Sequence, residues 1–181
     1  MSTMTTLPVL LIIAHQGFQP TEYAEPKRLL EETGIKVVTA SNKPGIATTQ
    51  DGKIKVDVKN VTTDKINPKD YSGIFIVGGP GAMENLDNQT TYKLLQEAAK
   101  EKIPFGSICI STRILAKAGV IEGKDVTGWN NDDELDDILK KHGANYIKEK
   151  CVVDHDGKIV TAVDPSAAQE FGKKIIEIIK K

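Results

Sequence analysis

The sequence predicts an α/β protein: a three-layer α/β/α sandwich around a mainly parallel sheet, with added β-hairpins. Three observations carry this. Short β-branched runs alternate with helical patterns from one end of the chain to the other. Several runs are apolar at consecutive rather than alternate positions, as in strands covered on both faces. The runs end in glycines or polar loops from which the next helix starts, as in successive βα units.

Taken in order, Pro8 to Ala14 (PVLLIIA) is the first buried strand, followed by a polar loop, His15 to Pro20. Thr21 is the expected cap of a helix that runs to Thr33 and stops at Gly34. Ile35 to Ala40 is the second strand. In GIATTQDGKIKVDV, Asp51-Gly52 between two alternating runs signals a hairpin. Ile74 to Val77 is another buried strand, ending in Gly78-Gly79-Pro80-Gly81. Residues 90–102 read as a helix with Leu94, Leu95, Ala98 and Ala99 on one side.

Pro104 to Ile108 forms a strand, and Ile110 to Ala118 the helix that leaves it, closed by Gly119. Asp125 to Thr127 is a short strand. Residues 132–142 form a helix stopped by Gly143. Strands are expected at Asn145 to Ile147, Cys151 to Val153 and Lys158 to Ala162, the last two joined by Asp156-Gly157. The final helix runs from Ser166 to Lys180, with Ala168, Phe171, Ile175 and Ile178 at helical spacing. No repeat, low-complexity segment or long linker divides the chain, so one domain over 1–181 is expected.

Composition narrows the function. The formal net charge is −1, which gives no broad electrostatic case for a nucleic-acid or membrane partner. Arg28 and Arg113 are the only arginines, leaving few candidates for bidentate phosphate recognition. Two cysteines, Cys109 and Cys151, make neither a disulfide framework nor a CxxC site, which suits a reducing cytoplasm. Residues 7–14 are too short and lack the basic flank for a signal peptide or a membrane span. In the acidic run Asn131 to Asp137, Asn131 and Glu134 fit a capping box and no EF-hand spacing occurs, so no metal is expected. The turn at 78–81 fails as a phosphate cradle: G-x-G-x-x-G from Gly79 needs glycine where Glu84 stands, and Pro80 has no N–H.

In a fold of this class ligands bind where strand C-termini meet helix N-termini. Four features fall on that edge: His15 with the loop to Glu22, the glycine turn, Cys109, and the region just after Thr127. Cys109 sits in GSICISTRILA, with Ser107 two residues before it and Ser111 two after. Small residues at those positions suit a nucleophile on a sharp strand-to-helix turn, and a helix N-terminus behind it favours thiolate. A buried structural cysteine satisfies the same position. From the residues alone both readings stand.

Four segments, in order, resemble the ThiJ/PfpI superfamily, which includes a Parkinson's-linked human protein and glyoxalase III enzymes and has the class I glutamine-amidotransferase-like fold with a flavodoxin-like sheet. GFQPTEYAEP is similar to the family's first loop and helix, with Glu22 at its acid and Pro26 four residues later. IFIVGGPGA is similar to its glycine turn, SICISTRILAKAGVIEGKDVT to its cysteine elbow and return strand, and DGKIVTAVDPSAAQEF to its closing hairpin and last helix.

The resemblance implies that Cys109 is the reactive thiol, Glu22 its carboxyl partner, and the Gly79 and Ile110 N–H groups the oxyanion donors, with Gly78 beside them. It implies a cofactor-independent enzyme acting on small reactive carbonyls, in the manner of glyoxalase III or a deglycase. The alternatives it leaves are an oxidative-stress sensor working through Cys109 oxidation, an amidase or peptidase-like hydrolase, and an isocyanide-hydratase-like activity. It implies a homodimer or larger oligomer.

The chain departs from the family in two places. The peptidase-like branch has His directly after the cysteine, where this chain has Ile110. Glyoxalase-type members place His just after the strand that DVTGW resembles, where this chain has Trp129. His15 is then the candidate substitute base, and Arg113 and Trp129 the candidate pocket shapers for a small polar or carbonyl substrate. His142 reads as structural beside its helix stop. His155 lacks the late His-x-Glu pattern of amidotransferases, because Gly157 follows it.

Overall fold

A computed structural model describes residues 7–156 and 158–180. Its centre is a six-stranded sheet with the order β2-β1-β5-β6-β10-β9. These strands are β1 (Val9–Ile13), β2 (Val37–Ser41), β5 (Gly73–Ile76), β6 (Phe105–Ile108), β9 (Cys151–Asp154) and β10 (Ile159–Ala162). All neighbours run parallel except β10 with β9. The hairpin β3 (Ile46–Thr48) and β4 (Lys55–Asp57) stands apart from this sheet, as does the pair β7 (Asp125–Val126) and β8 (Asn145–Tyr146).

The register follows from burial. All five side chains of β1 are fully buried, between β2 on one side and β5 on the other. Each such aliphatic side chain contributes roughly 2 kcal/mol when removed from water. That is why consecutive rather than alternating apolar residues encode the central strands. Helices α1 (Pro20–Glu32), α2 (Ala82–Leu86), α3 (Gln89–Lys100), α4 (Thr112–Lys117), α5 (Leu135–Lys141) and α6 (Ala168–Ile179) complete the sandwich. α1 packs against α6, whose Phe171 meets Phe75 of β5 edge-on at 5.9 Å.

The mainly parallel α/β architecture is the expected one, and the differences are local. Gln19, not Thr21, caps α1: its Oε1 accepts the Glu22 N–H at 2.9 Å. With Pro20 fixed in the first turn, the cap falls two residues earlier. The short α2 follows the glycine turn and has no apolar period long enough to read. α5 starts three residues late because the 131/134 capping box does not form. Asn130 Oδ1 accepts the Leu135 N–H at 2.7 Å, and Glu134 is drawn toward Arg113. β7 pairs only with β8, in parallel. Gly157, half of the expected turn between β9 and β10, lies outside the described residues.

Gly106 lies in β6 between β5 and β10. A Cβ there would sit 1.8 Å from the Val160 carbonyl oxygen, and backbone cannot yield as a side-chain tip can. Gly106→Ala is expected to cost roughly 3 kcal/mol or more in denaturant unfolding, whereas Gly119→Ala, whose Cβ meets nothing within 4 Å and which carries only the strain of its φ of 73°, about 1 kcal/mol, costs less. Equal losses would show that the strand contact does not set the position.

Candidate active site

The site is built where β1, β5 and β6 end. Cys109 follows β6 directly, with φ of 65°. A non-glycine residue in this region carries on the order of 1–3 kcal/mol of strain and persists only where the surroundings hold it. Here hydroxyls do so. Ser111 Oγ donates to the Val77 carbonyl and Thr112 Oγ1 to the Thr127 carbonyl, both at 2.9 Å. Because Thr112 has spent its proton, Ser107 Oγ donates to Thr112 Oγ1 at 2.9 Å. The Cys109 carbonyl accepts the Trp129 N–H at 3.2 Å. The small residues on either side of the cysteine thus also tie the elbow to neighbouring elements. The chain leaves Cys109 in a 3₁₀ turn, Cys109–Ser111, before α4 begins.

Glu22 meets the cysteine from the first turn of α1. It is fully buried, and its Oε2 accepts the Gly78 N–H at 2.9 Å. Its carboxyl lies against the Cys109 thiol and is electrostatically coupled to it, while Oε1 is buried with no hydrogen-bond partner. Gly78 is the hinge of this arrangement: a Cβ there would lie 2.6 Å from Glu22 Oε2 and 2.7 Å from Cys109 Cβ. The backbone N–H groups of Ile110 and Gly79 are directed at the sulfur.

The electrostatics correct one expectation. A helix N-terminus behind Cys109 suggests a stabilised thiolate. Instead burial, and then the Glu22 charge, push the thiol well above its ordinary 9.0, against the pull of the Ile110 and Gly79 N–H groups. Burial also raises Glu22 from 4.5 to about 7, with Asp164 adding repulsion, against the pull of the Cys109 thiol and the Gly78 N–H. Two acids that share one water-poor site resist double ionisation and titrate as a unit. Cys151, the other thiol, is pushed up to about 12 by burial and then by Glu170.

Cys109 and Glu22 open on a cavity of about 680 Å³. Gly79, Pro80, Met83, Ile110, Trp129 and Pro165 supply its mostly apolar wall, and Gln19, Asn131, Asp164 and Ser166 its polar positions. Asp164 also caps the turn before α6, accepting the Ser166 N–H at 2.8 Å.

Three expected site residues are not in the cavity lining: His15, Arg113 and Gly78, which instead donates its N–H to Glu22 Oε2. The chain after β1 turns toward the β3 hairpin, the His15 carbonyl accepting the Thr48 N–H at 2.9 Å and its own N–H going to Asn42 Oδ1 at 2.9 Å. The structure therefore does not support His15 as the substitute base. Arg113 is only 7% exposed and lies behind the wall, with its guanidinium 5.5 Å from the Trp129 ring centroid and paired with Asp132 at 2.7 Å. Sequence reasoning missed Gln19, Met83, Asn131 and the 164–166 turn. The last follows β10 at the same sheet edge, a position the strand-end rule picks out.

Comparison with known proteins bears on the family and the fold. The profile of the DJ-1/PfpI family matches residues 8–178. An uncharacterised protein of Methanocaldococcus jannaschii is 35% identical over 98% of this chain and 85% of its own. A deglycase of Pyrococcus horikoshii is 27% identical over 96% of this chain and 100% of its own. Among solved structures, a ThiJ/PfpI domain protein of Brachyspira murdochii superposes with a TM-score of 0.88 at 24% identity, over 97% and 98% of the two chains.

The raised Glu22 has a sign that stability measurements can read. A carboxyl bound to its proton more tightly in the fold stabilises the fold fully below its unfolded value near 4.5. That contribution is lost as pH rises through about 7. The span corresponds to roughly 3 kcal/mol. Denaturant unfolding of the wild type should weaken relative to Glu22→Gln by about this amount between the two pH values. A constant difference would mean that Glu22 is not perturbed.

Proposed function

The chain belongs to the DJ-1/PfpI family, and on that footing we propose that it is a cysteine-dependent enzyme that converts reactive α-oxoaldehydes to 2-hydroxy acids without a cofactor. The observation that carries this reading is the half-buried Cys109 thiol beside the fully buried Glu22 carboxyl at the mouth of a cavity, with two backbone N–H groups directed at the sulfur. The deglycase name of the Pyrococcus relative supports carbonyl chemistry, and a glycated adduct is the alternative substrate for the same thiol.

The pair supplies each step. The Cys109 sulfur bonds to the aldehyde carbon while the thiol proton passes through Glu22 to the carbonyl oxygen, which the Gly79 and Ile110 N–H groups hold. Glu22, again a carboxylate, takes the hydrogen of that carbon as a proton and returns it to the neighbouring carbonyl carbon. The hydroxyl proton of the first carbon moves to the oxygen of the second. The first carbon is thereby oxidised to a thioester and the second reduced to an alcohol. Water then cleaves the thioester, releasing the 2-hydroxy acid and restoring the thiol.

A carboxyl near 7 is suited to this exchange, because it gives and accepts protons at neutral pH. Among the described residues, no histidine lines the cavity, and none is required if Glu22 carries the proton in both directions. The raised thiol weighs against the alternative of an oxidative-stress sensor, since thiolate is the species that peroxide oxidises.

Purified protein should form lactate from methylglyoxal. Cys109→Ala should abolish turnover, and Glu22→Gln should lower it by about 10²-fold or more. The reactive pair is the one that has lost a single proton, so kcat/KM should rise with pH through about 7 and then level. No turnover of any reactive carbonyl, or full activity in Glu22→Gln, would overturn the proposal.

A further inference from the structure

We propose that the site prefers uncharged α-oxoaldehydes carrying a ring-sized apolar substituent over methylglyoxal and over anionic carbonyl compounds. This rests on the carbonyl chemistry proposed above and names its substrate class.

Three observations lead there. The first is size. A cavity of about 680 Å³ falls in the range that encloses whole organic ligands, and a three-carbon aldehyde leaves most of it empty. The second is the wall. Trp129, Met83, Ile110, Pro80 and Pro165 give it a broad apolar surface. The Trp129 ring is held in place: its backbone N–H bonds the Cys109 carbonyl, and the Arg113 guanidinium lies 5.5 Å from the ring centroid. Arg113 is in turn fixed by Asp132, through 2.7 and 2.8 Å contacts, and by Glu134 at 3.3 Å. A wall fixed from behind does not collapse onto a small substrate.

The third observation is charge. Among the described residues, no lysine, arginine or histidine lines the cavity, and its ionisable side chains, apart from the thiol, are Glu22 and Asp164. The nearby cation, Arg113, is turned away and neutralised by its acidic partners. A carboxylate or phosphate on the substrate would lose its hydration and gain no counter-charge. A neutral apolar group gains contact with Trp129 and its neighbours. Burying a ring in place of a methyl group in such a pocket favours the larger substrate by about tenfold or more.

Turnover and binding test this separately. With wild type, kcat/KM for phenylglyoxal should exceed that for methylglyoxal by about tenfold or more. Trp129→Ala should erase most of that ratio. A ratio near one in the wild type, or an unchanged ratio in Trp129→Ala, overturns the inference and leaves the carbonyl chemistry standing.

For binding, the indole N–H resonance of Trp129, the single tryptophan of the chain, is titrated in Cys109→Ala. Cyclohexyl methyl ketone should shift it at about tenfold lower concentration than acetone, and cyclohexylglyoxylate, an anion, should bind more weakly than the neutral ketone. Equal responses to all three overturn the inference. If these preferences hold while no α-oxoaldehyde is turned over, the pocket preference stands and the proposed chemistry falls.

Discussion

The fold brings a fully buried carboxyl and a half-buried thiol together at the edge of a cavity. Glu22 comes from the first turn of α1 and Cys109 from the end of β6, and neither could hold this position alone. Gly78 lets the two close over its bare Cα, and its N–H ties down Glu22 Oε2. The positive φ of Cys109 aims the sulfur out of the sheet, and the hydroxyls of Ser107, Ser111 and Thr112 hold the elbow from behind. Burial then does the chemistry's preparation. It raises both groups, so the carboxyl, rather than a free thiolate, is the group that exchanges protons near neutrality.

In the proposed chemistry Glu22 carries the proton that a histidine at 110 or 129, the positions the family resemblance singles out, would otherwise carry. The Ile110 backbone N–H is available whatever the side chain is, so the oxyanion donor proposed there does not depend on a histidine. Trp129 replaces a polar side chain by an apolar wall, which changes what the cavity holds more than how the thiol is served. Arg113 stabilises that wall from the rear, at the expense of the helix cap that Asn131 and Glu134 would otherwise form.

Much of this was legible in the sequence because it is encoded locally. Strands buried on both faces write themselves as continuous apolar runs, so β1, β5 and β6 stand where expected. The Cys109 elbow announces itself by its small neighbours, and Glu22 by the loop that resembles the family's. What was not legible depends on partners far along the chain. The 131/134 cap fails because Arg113, well upstream, claims Asp132 and Glu134. His15 stands at the correct strand end, yet the hairpin that receives the following residues draws it off the cavity. The state of the thiol was misread for the same kind of reason. A helix N-terminus is visible in sequence, whereas the depth of burial and a carboxylate from another element are not.

The protonation of Glu22 in the native protein is the quantity on which the rest depends. It can be followed by ¹³C NMR titration of the side-chain carboxyl carbon in the intact wild type, assigned by its loss in Glu22→Gln. A midpoint near 7 is expected for a carboxyl buried against the Cys109 thiol; a midpoint near the ordinary 4.5 would contradict the shared-proton pair at the centre of the site.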